Sequence, residues 1–252
     1  MAIIRLPALA LAPSAQRRVN VRISVEAAAA AIAPTLTASH QITKGLLKFT
    51  THSYRVQKIA AQLGWLPGAR YTNLRDVRKF DRLGFLDIDW KNYDFKAHIK
   101  AARSTQPLIT IARDIEQIKA LPEILDQASE LRRYANIVVV VPKARRLGPI
   151  LEDVIPPQFI LGFSVPTRYG GTKIPLKYFQ RPVHLLGGRP DVQRKLGNQL
   201  TVHSLDCNRF TLDAAFGDYF DGETFRPHPK GGYERCIRES LRNINRLWGL
   251  DG

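Results

Sequence analysis

Aspartates stand at or near the carboxyl ends of three apolar runs in this sequence. Asp87 and Asp89 close the run FLDID, Asp114 closes LITIARD, and Asp206 lies in LTVHSLDCN. Carboxylates from three separate strands can surround a reacting centre that becomes positively charged. An oxocarbenium-like transition state at a sugar carbon needs this arrangement, with one aspartate as nucleophile and another for proton transfer. The three runs therefore predict glycosidic-bond chemistry, provided that the strands gather their ends on one face.

Further polar residues lie at the ends of these and other predicted strands, and glycine pairs follow two strands. A strand end borders solvent, so exposure to water equally explains any one of these polar residues. Gly170-Gly171 and Gly187-Gly188 follow strands, where a flat ligand or a phosphate can approach bare backbone, although ordinary turns also use glycine. The other polar residues at strand ends are Arg113, Lys143, Ser164, Thr167, His184 and Asn208.

Six apolar, β-branched runs place these residues. They start roughly 18 to 29 residues apart, which leaves room for a strand, a crossover helix and two short loops. Helical segments fit between them, with Pro122 expected to break one, and the tail YERCIRESLRNINRLWGL is amphipathic. The runs are Phe85–Asp89, Leu108–Asp114, Ile137–Lys143, Phe159–Thr167, Pro182–Gly188 and Leu200–Asn208.

Continuous apolar strands that alternate with helices predict a parallel sheet buried on both faces. No G-x-G-x-x-G motif leads from a strand into a helix, which argues against a dinucleotide-binding sheet. LLKFTTHS and VNVRISV bring the strand count towards eight, so we expect a (β/α)8 barrel over residues 44–252 with a C-terminal helix. Residues 1–43 form an N-terminal extension of uncertain structure. A barrel gathers its catalytic groups at the carboxyl ends of its strands, so the aspartates of the three runs are expected on one face.

The charge of the chain points to a polyanionic partner. Lys and Arg number 38 against 22 Asp and Glu, a net charge of +16. Nucleic acid is the expected partner, since neutralised phosphates release counterions. Two cysteines provide neither a disulfide framework nor a cysteine-rich zinc module, and no run is long enough to span a membrane. We therefore expect a cytoplasmic protein without metal or cofactor, and His52 and His184 lack the partners that a metal site needs.

Three motifs carry a resemblance to a known family. The segments ILGFS, HLLGGRP and SLDCNRF, in this order and spacing, resemble the catalytic half of tRNA-guanine transglycosylases. The motif sequences and the length of the chain are most similar to those of the phage-type DNA-guanine transglycosylases, which insert 7-deazaguanine bases into DNA. The likeness covers roughly residues 80 to 222. It implies a TIM-type barrel that exchanges guanine through a covalent aspartate–sugar intermediate, in the host cytoplasm if the protein is phage-encoded.

The resemblance also implies roles for individual residues. Asp206 matches the covalent nucleophile, Asp114 the aspartate that reads the guanine-type Watson–Crick edge, and Asp87 or Asp89 the general base. The purine pocket would involve Gly162, Phe163, Ser164, His184, Leu185, Leu186 and Gly187. Contacts to the nucleic acid would come from the basic residues Lys143, Arg145, Arg146, Arg168, Arg189 and Arg209.

Two departures from the family pattern favour DNA over tRNA as the substrate. Cys207 and Cys236 cannot rebuild the zinc site of the tRNA enzymes, and Asn208-Arg209-Phe210 follows the nucleophile motif where those enzymes have P-T-R. The expected reaction is exchange of guanine in DNA for a 7-deazaguanine such as 7-cyano-7-deazaguanine. The alternatives are an RNA-guanine transglycosylase, a hydrolytic base-excision enzyme and a non-catalytic nucleic-acid-binding barrel. The DNA context and the oligomeric state stay open.

Overall fold

Eight parallel strands close into a barrel, which confirms the predicted (β/α)8 fold. The computed structural model describes residues 45–167 and 170–250. The predicted extension 1–43, with its VNVRISV strand, and Arg168 lie outside the described residues. Each strand pairs in parallel with the next, and β8 pairs with β1 to complete the ring. The strands are β1 (Leu47–Thr50), β2 (Leu66–Arg70), β3 (Phe85–Asp87), β4 (Ile109–Ile111), β5 (Ile137–Val140), β6 (Ile160–Ser164), β7 (Val183–Leu186) and β8 (Val202–Asp206).

Helices surround the barrel, and a short hairpin follows β8. Pro122 was expected to break a helix, but it lies in the first turn of α3, where a missing N–H costs nothing. The segment RRLGPI forms a 3-10 helix that precedes α4. The α-helices are α1 (Tyr54–Ala61), α2 (Phe95–Thr105), α3 (Leu121–Leu131), α4 (Leu151–Val154), α5 (Pro190–Gly197), α6 (Arg209–Ala214) and α7 (Tyr233–Leu247), and the antiparallel hairpin comprises β9 (Asp218–Phe220) and β10 (Phe225–Pro227).

One barrel strand was missed from the sequence. β2 has the sequence LPGAR and lies between β1 and β3. Pro67 and Gly68 are typical of turns and weaken any strand prediction. The tertiary pairing overrides this local preference, and β2 supplies the eighth strand of the ring among the described residues.

The paired strands are shorter than the apolar runs. β3 ends at Asp87, so Asp89 lies two residues beyond the strand, and β4 ends at Ile111, three residues before Asp114. Alternation therefore does not extend from Asp87 to Asp89, and the expectation that both face the same side is wrong. The ends of the runs form loops at the mouth of the barrel.

Two apolar layers hold the barrel together. The inner layer fills the barrel with inward side chains, so the barrel is a packed core. The outer layer lies between the strands and the helices, and includes Ile237, Leu241 and Ile244 of α7, the predicted apolar stripe. The inner layer is built from Phe49, Phe85, Ile109, Ile111, Val139 and Val141.

Candidate active site

A cavity of about 470 Å³ opens at the carboxyl ends of the strands. Three of the predicted aspartates line it together: Asp87 at the end of β3, Asp114 after β4 and Asp206 at the end of β8. Asp89 is not among the lining residues; its Oδ1 accepts a hydrogen bond from the N–H of Lys91 in the following turn. We call this space the central cavity. Its volume lies within the range of about 300 to 1,000 Å³ that ligand pockets occupy.

Asp206 presents its carboxylate to the central cavity at the last position of β8. Ser204 and Asp206 point inward along the strand, and Leu205 between them is buried in the outer layer. The side chain is held on two sides, because Oδ1 accepts a hydrogen bond from the N–H of Gly187 at 3.0 Å and lies 3.3 Å from Nε2 of His184. Only 8% of Asp206 is exposed, so the carboxylate is fixed at the cavity wall.

His184 supports Asp206 from within the barrel. It was predicted in the purine pocket, but it is fully buried, and its ring stacks on Phe85 with 5.3 Å between the ring centroids. Its Nδ1 lies 2.8 Å from the hydroxyl of Ser204. An ionised carboxylate only accepts hydrogen bonds, so a hydrogen bond from His184 to an ionised Asp206 requires the tautomer with the proton on Nε2. His184 therefore orients the carboxylate and does not itself line the cavity.

The loop after β7 brings a backbone donor to Asp206. Gly187 and Gly188 have φ values of 60° and 88°, a conformation that favours glycine. A Cβ on Gly188 would lie 2.4 Å from Cγ1 of Val165, so a larger residue does not fit there. Gln193 of α5 was not predicted, and its Nε2 donates to the carbonyls of both Gly187 and Asp206 at 2.8 Å. The sequence shows only a glutamine within a polar helical segment; its full burial is visible only in the fold.

Asp87 is partly buried in the cavity wall, and its pKa is raised to about 7. Burial is the largest cause, and the negative charge of Asp206 adds to it. A hydrogen bond from the N–H of Ile88 and the charge of Arg70 act in the opposite direction. Arg70 lies at the end of β2 and was missed together with that strand. A carboxyl group that titrates near neutral pH can both donate and accept a proton.

Asp114 forms an ion pair with Lys143 inside the central cavity. Nζ of Lys143 lies 2.5 Å from Oδ2 of Asp114 and 3.5 Å from Oε1 of Glu116. Burial raises the pKa of Asp114, although Lys143 counteracts it. Burial disfavours the charge on Lys143, but its contacts with Asp114 and Glu116 outweigh burial and raise its pKa. Lys143 was predicted to contact the nucleic acid; it lies after β5 and lines the central cavity.

The remaining predicted pocket residues divide between the cavity and the core. Ser164, Leu186 and Gly187 line the central cavity. Phe163 and Leu185 do not, because strand alternation turns them into the outer layer, where Phe163 packs edge-on against Phe179. Gly162 faces the barrel interior, where a Cβ would lie 2.7 Å from Cγ2 of Val141. Gly162 thus serves core packing, and Gly162, Phe163 and Leu185 are not among the residues that line the central cavity.

A side cavity of about 580 Å³ shares Thr167, Gly187, Gly188, Asp206 and Asn208 with the central cavity. Two of the predicted basic residues, Arg189 and Arg209, line it. Their guanidinium carbons lie 5.3 Å and 5.8 Å from the centre of the Phe225 ring. Arg189 also bonds Asp191, and Arg209 bonds Asp213 through two nitrogens. The arginines are therefore held in place beside the nucleophile candidate.

The other predicted basic residues lie further out. Arg145 and Arg146 are exposed on the 3-10 helix after β5. Within the described ranges, no group of three or more His, Cys, Asp or Glu residues is arranged to hold a metal ion. In the same ranges, no helix has both the length and the apolarity needed to cross a membrane.

Comparisons with known proteins give a family without an assigned activity. No curated protein matches the chain. Among solved structures, the YdjI aldolase from Escherichia coli K12 is similar to it with a TM-score of 0.49 and 11% sequence identity, covering 82% of this chain and 92% of the aldolase. A family profile described as "Family of unknown function (DUF6610)" matches residues 60–249. The chain therefore belongs to the DUF6610 family.

Proposed function

We propose that this protein is a DNA-guanine transglycosylase that exchanges guanine for a 7-deazaguanine base. The observation that carries the proposal is the meeting of Asp206 and Asp87 at one cavity. Asp206 is held by Gly187 and His184, whereas the pKa of Asp87 is raised to about 7 by burial and by the charge of Asp206. Two carboxyl groups with different environments suit the separate roles of nucleophile and proton-transfer group.

The first half of the reaction would form a covalent intermediate. A carboxylate oxygen of Asp206 attacks C1′ of a deoxyguanosine while the C1′–N9 bond breaks, and the bonding electron pair leaves with guanine. Protonated Asp87 supplies the proton that neutralises the departing base. The positive charge that develops at the sugar is stabilised by the carboxylate of Asp206. The product of this half-reaction is an ester-like Asp206–C1′ bond and free guanine.

The second half would reverse these steps with a different base. Asp87, now ionised, accepts the N9 proton of the incoming 7-deazaguanine. The freed electron pair on N9 attacks C1′, and the Asp206–C1′ bond breaks to restore the carboxylate. Asp87 ends the cycle protonated, so protons and electrons balance without a cofactor or a further reactant. A pKa near 7 suits a group that must alternate between the two forms.

The charges around the mouth support a nucleic-acid substrate. A net charge of +16 attracts a phosphate backbone, and Arg189 and Arg209 lie beside Asp206 in the side cavity. The target nucleotide must leave the base stack to reach Asp206, at a cost of about a few kcal/mol. Exposed Trp90 lines the rim of the central cavity, where its ring can stack on the extruded base.

The test follows guanine release and covalent capture. Wild type and Asp206→Asn are incubated with guanine-labelled duplex DNA, and separately with labelled tRNA, in the presence of 7-cyano-7-deazaguanine. Wild type is expected to release label from DNA and to form a denaturation-resistant protein–DNA adduct. The Asn variant should lose both by about 10³-fold or more, because its amide cannot act as the nucleophile. Asp126→Asn, exposed on α3, is the matched control and should behave as wild type.

Each alternative gives a different result. Exchange with tRNA alone would replace DNA by RNA as the substrate. Release of guanine without incorporation of the second base would indicate a hydrolytic base-excision enzyme. Retention of label on both substrates, with binding intact, would indicate a non-catalytic barrel and would overturn the proposal.

A further inference from the structure

The Asp114–Lys143 pair places a negative and a positive group side by side in the central cavity, 2.5 Å apart. Both side chains are largely buried, with exposed fractions of 14% and 18%. We propose that Lys143 is a specificity-determining residue, which donates a hydrogen bond to the 6-carbonyl of a guanine-type base while Asp114 accepts from N1–H and the 2-amino group. This inference deepens the proposed function and rests on it for the class of ligand.

The pair matches the polar edge of guanine atom by atom. That edge carries an acceptor at O6 next to donors at N1 and N2. An ammonium group has three donors and no acceptor, and a carboxylate has two acceptor oxygens and no donor. Asp114 uses Oδ2 for Lys143, which leaves Oδ1 as a further acceptor. With the base placed across the pair, each of its three polar groups meets a charged partner of the opposite hydrogen-bonding character.

The same pair rejects adenine. Adenine presents an amino donor at position 6, where it would face the ammonium of Lys143, and a lone pair at N1, where it would face the carboxylate of Asp114. Both contacts are repulsive, and both charged groups would lose water without gaining a partner. Sites that are built to hydrogen-bond a ligand group discriminate strongly against ligands that lack it. The pair thus selects 6-oxo-2-amino bases over 6-amino bases.

The position of the pair fits this reading. Asp114 and Lys143 lie after neighbouring strands, β4 and β5, and Glu116 provides Lys143 with a second carboxylate at 3.5 Å. Ile88 and Ile111, together with Leu186, supply the apolar wall of the same cavity. Asp206 lines the same cavity, so the recognition pair and the nucleophile candidate face one common space.

The test measures binding of free bases without any reaction. Calorimetric titrations use 7-deazaguanine, 7-deazahypoxanthine and 7-deazaadenine, which differ only at their polar edge. Wild type should bind 7-deazaguanine at least about 10-fold more tightly than 7-deazaadenine. Lys143→Met should weaken 7-deazaguanine and 7-deazahypoxanthine by about 10- to 100-fold, the effect of losing one hydrogen bond from a charged donor. Binding of 7-deazaadenine should become tighter, because the variant removes the repulsion between the ammonium of Lys143 and the 6-amino group.

Further variants control for charge and folding. Lys143→Gln keeps an N–H donor and should retain the preference for 6-oxo bases, which a purely structural role for the ion pair would not predict. Lys100→Met removes a lysine on the exposed side of α2 and should bind all three bases as wild type does. Thermal unfolding of each variant shows whether it is folded under the titration conditions. If Lys143→Met is unfolded, the preference of Lys143→Gln and of wild type for 6-oxo over 6-amino bases tests the proposal instead.

Failure of this inference differs from failure of the proposed function. Equal wild-type affinity for 7-deazaguanine and 7-deazaadenine, absence of base binding, or an unchanged preference in Lys143→Met would overturn the role of Lys143, even if DNA exchange occurs. Base binding that depends on Lys143, without exchange in DNA, would leave the recognition pair in place and remove the transglycosylase activity.

Discussion

The Nε2 atom of His184 lies 3.3 Å from Oδ1 of Asp206, and the two side chains come from adjacent strands, β7 and β8. The imidazole is fully buried between Phe85 and the strand, so it has little freedom to move. Ser204 lies 2.8 Å from the other ring nitrogen and fixes the ring orientation. The carboxylate is therefore positioned by His184 and Ser204, two buried polar residues that do not line the central cavity.

Removal of this support should slow the proposed reaction more than it weakens binding. His184→Phe keeps a ring against Phe85 but loses both hydrogen bonds, and a nucleophile misplaced by about 1 Å can cost on the order of 10²-fold in rate. We expect kcat for base exchange to fall by roughly that factor, with the KM for the base unchanged. His184→Gln, which retains an N–H donor, should recover part of the rate. Equal loss in both variants would contradict a positioning role.

The titration of Asp87 should appear in the pH dependence of the exchange. Its pKa is raised to about 7, first by burial and then by the charge of Asp206. Uptake of the N9 proton needs the ionised form, so the rate of capture of the incoming base should decrease about tenfold per pH unit below the pKa of Asp87, which forms the acid limb of the pH profile. In the adduct this pKa is lower than in the free protein, because the esterified Asp206 no longer carries a charge. Measured from the preformed adduct, this acid limb should disappear in Asp87→Asn along with most of the rate. Asp89→Asn should keep the limb, because Asp89 does not line the cavity.

The same raised pKa predicts a cost to stability. Between about pH 4 and pH 7 the folded protein holds a proton on Asp87 that the unfolded chain has released, so this group's contribution to stability falls as the pH rises through that range. Above pH 7 a charged Asp87 is buried near Asp206. Asp87→Asn should therefore raise the free energy of unfolding at pH 8 by roughly 1 to 4 kcal/mol, and by little at pH 4.

Urea unfolding at the two pH values measures this difference. Asp126→Asn, on the exposed side of α3, serves as the control and should change neither value. A destabilised Asp87→Asn variant at pH 8 would be inconsistent with the raised pKa.

Arg189 and Arg209 should contribute to the salt dependence of DNA binding. If each contacts one phosphate, replacing it by Met lowers the slope of log K against log salt by about 0.9 for duplex DNA or 0.7 for a single strand. Fluorescence anisotropy at several salt concentrations measures the slope. Arg103→Met is the control: Arg103 is exposed near the C-terminal end of α2, and that helix end leads to the start of β4, at the face opposite the cavity. An unchanged slope in both arginine variants would place the phosphates elsewhere.

Gly188→Ala should disturb both folding and the site. The residue has φ of 88°, and an added Cβ would lie 2.4 Å from Val165. Backbone strain of this kind costs about 1 to 3 kcal/mol, and relief by loop movement would shift the neighbouring N–H of Gly187 away from Asp206. We expect a lower melting temperature and slower exchange. The double variant Gly188→Ala/Val165→Ala removes the 2.4 Å contact with Cγ1 but keeps the 2.7 Å approach to Cβ of residue 165 and the φ strain, so it should recover only part of the stability.

The architecture could be predicted from the sequence because it depends on local patterns. Apolar runs that alternate with helical segments predicted the parallel barrel, and the aspartates at the ends of three runs were predicted to converge. Pro67 and Gly68 concealed β2, and Arg70 was missed with it, since pairing by neighbouring strands outweighed the turn preference of those residues.

The residue types and the spacing of the runs by themselves determined the barrel and the candidate carboxylates. Only the tertiary structure decided which side chains share the cavity. It separated Asp87 from Asp89, turned Phe163 and Leu185 into the outer layer, and paired Lys143 with Asp114. The physical reason is that strand ends and loop paths are set by pairing between distant segments, and a shift of one or two residues at a strand end changes which way a side chain faces.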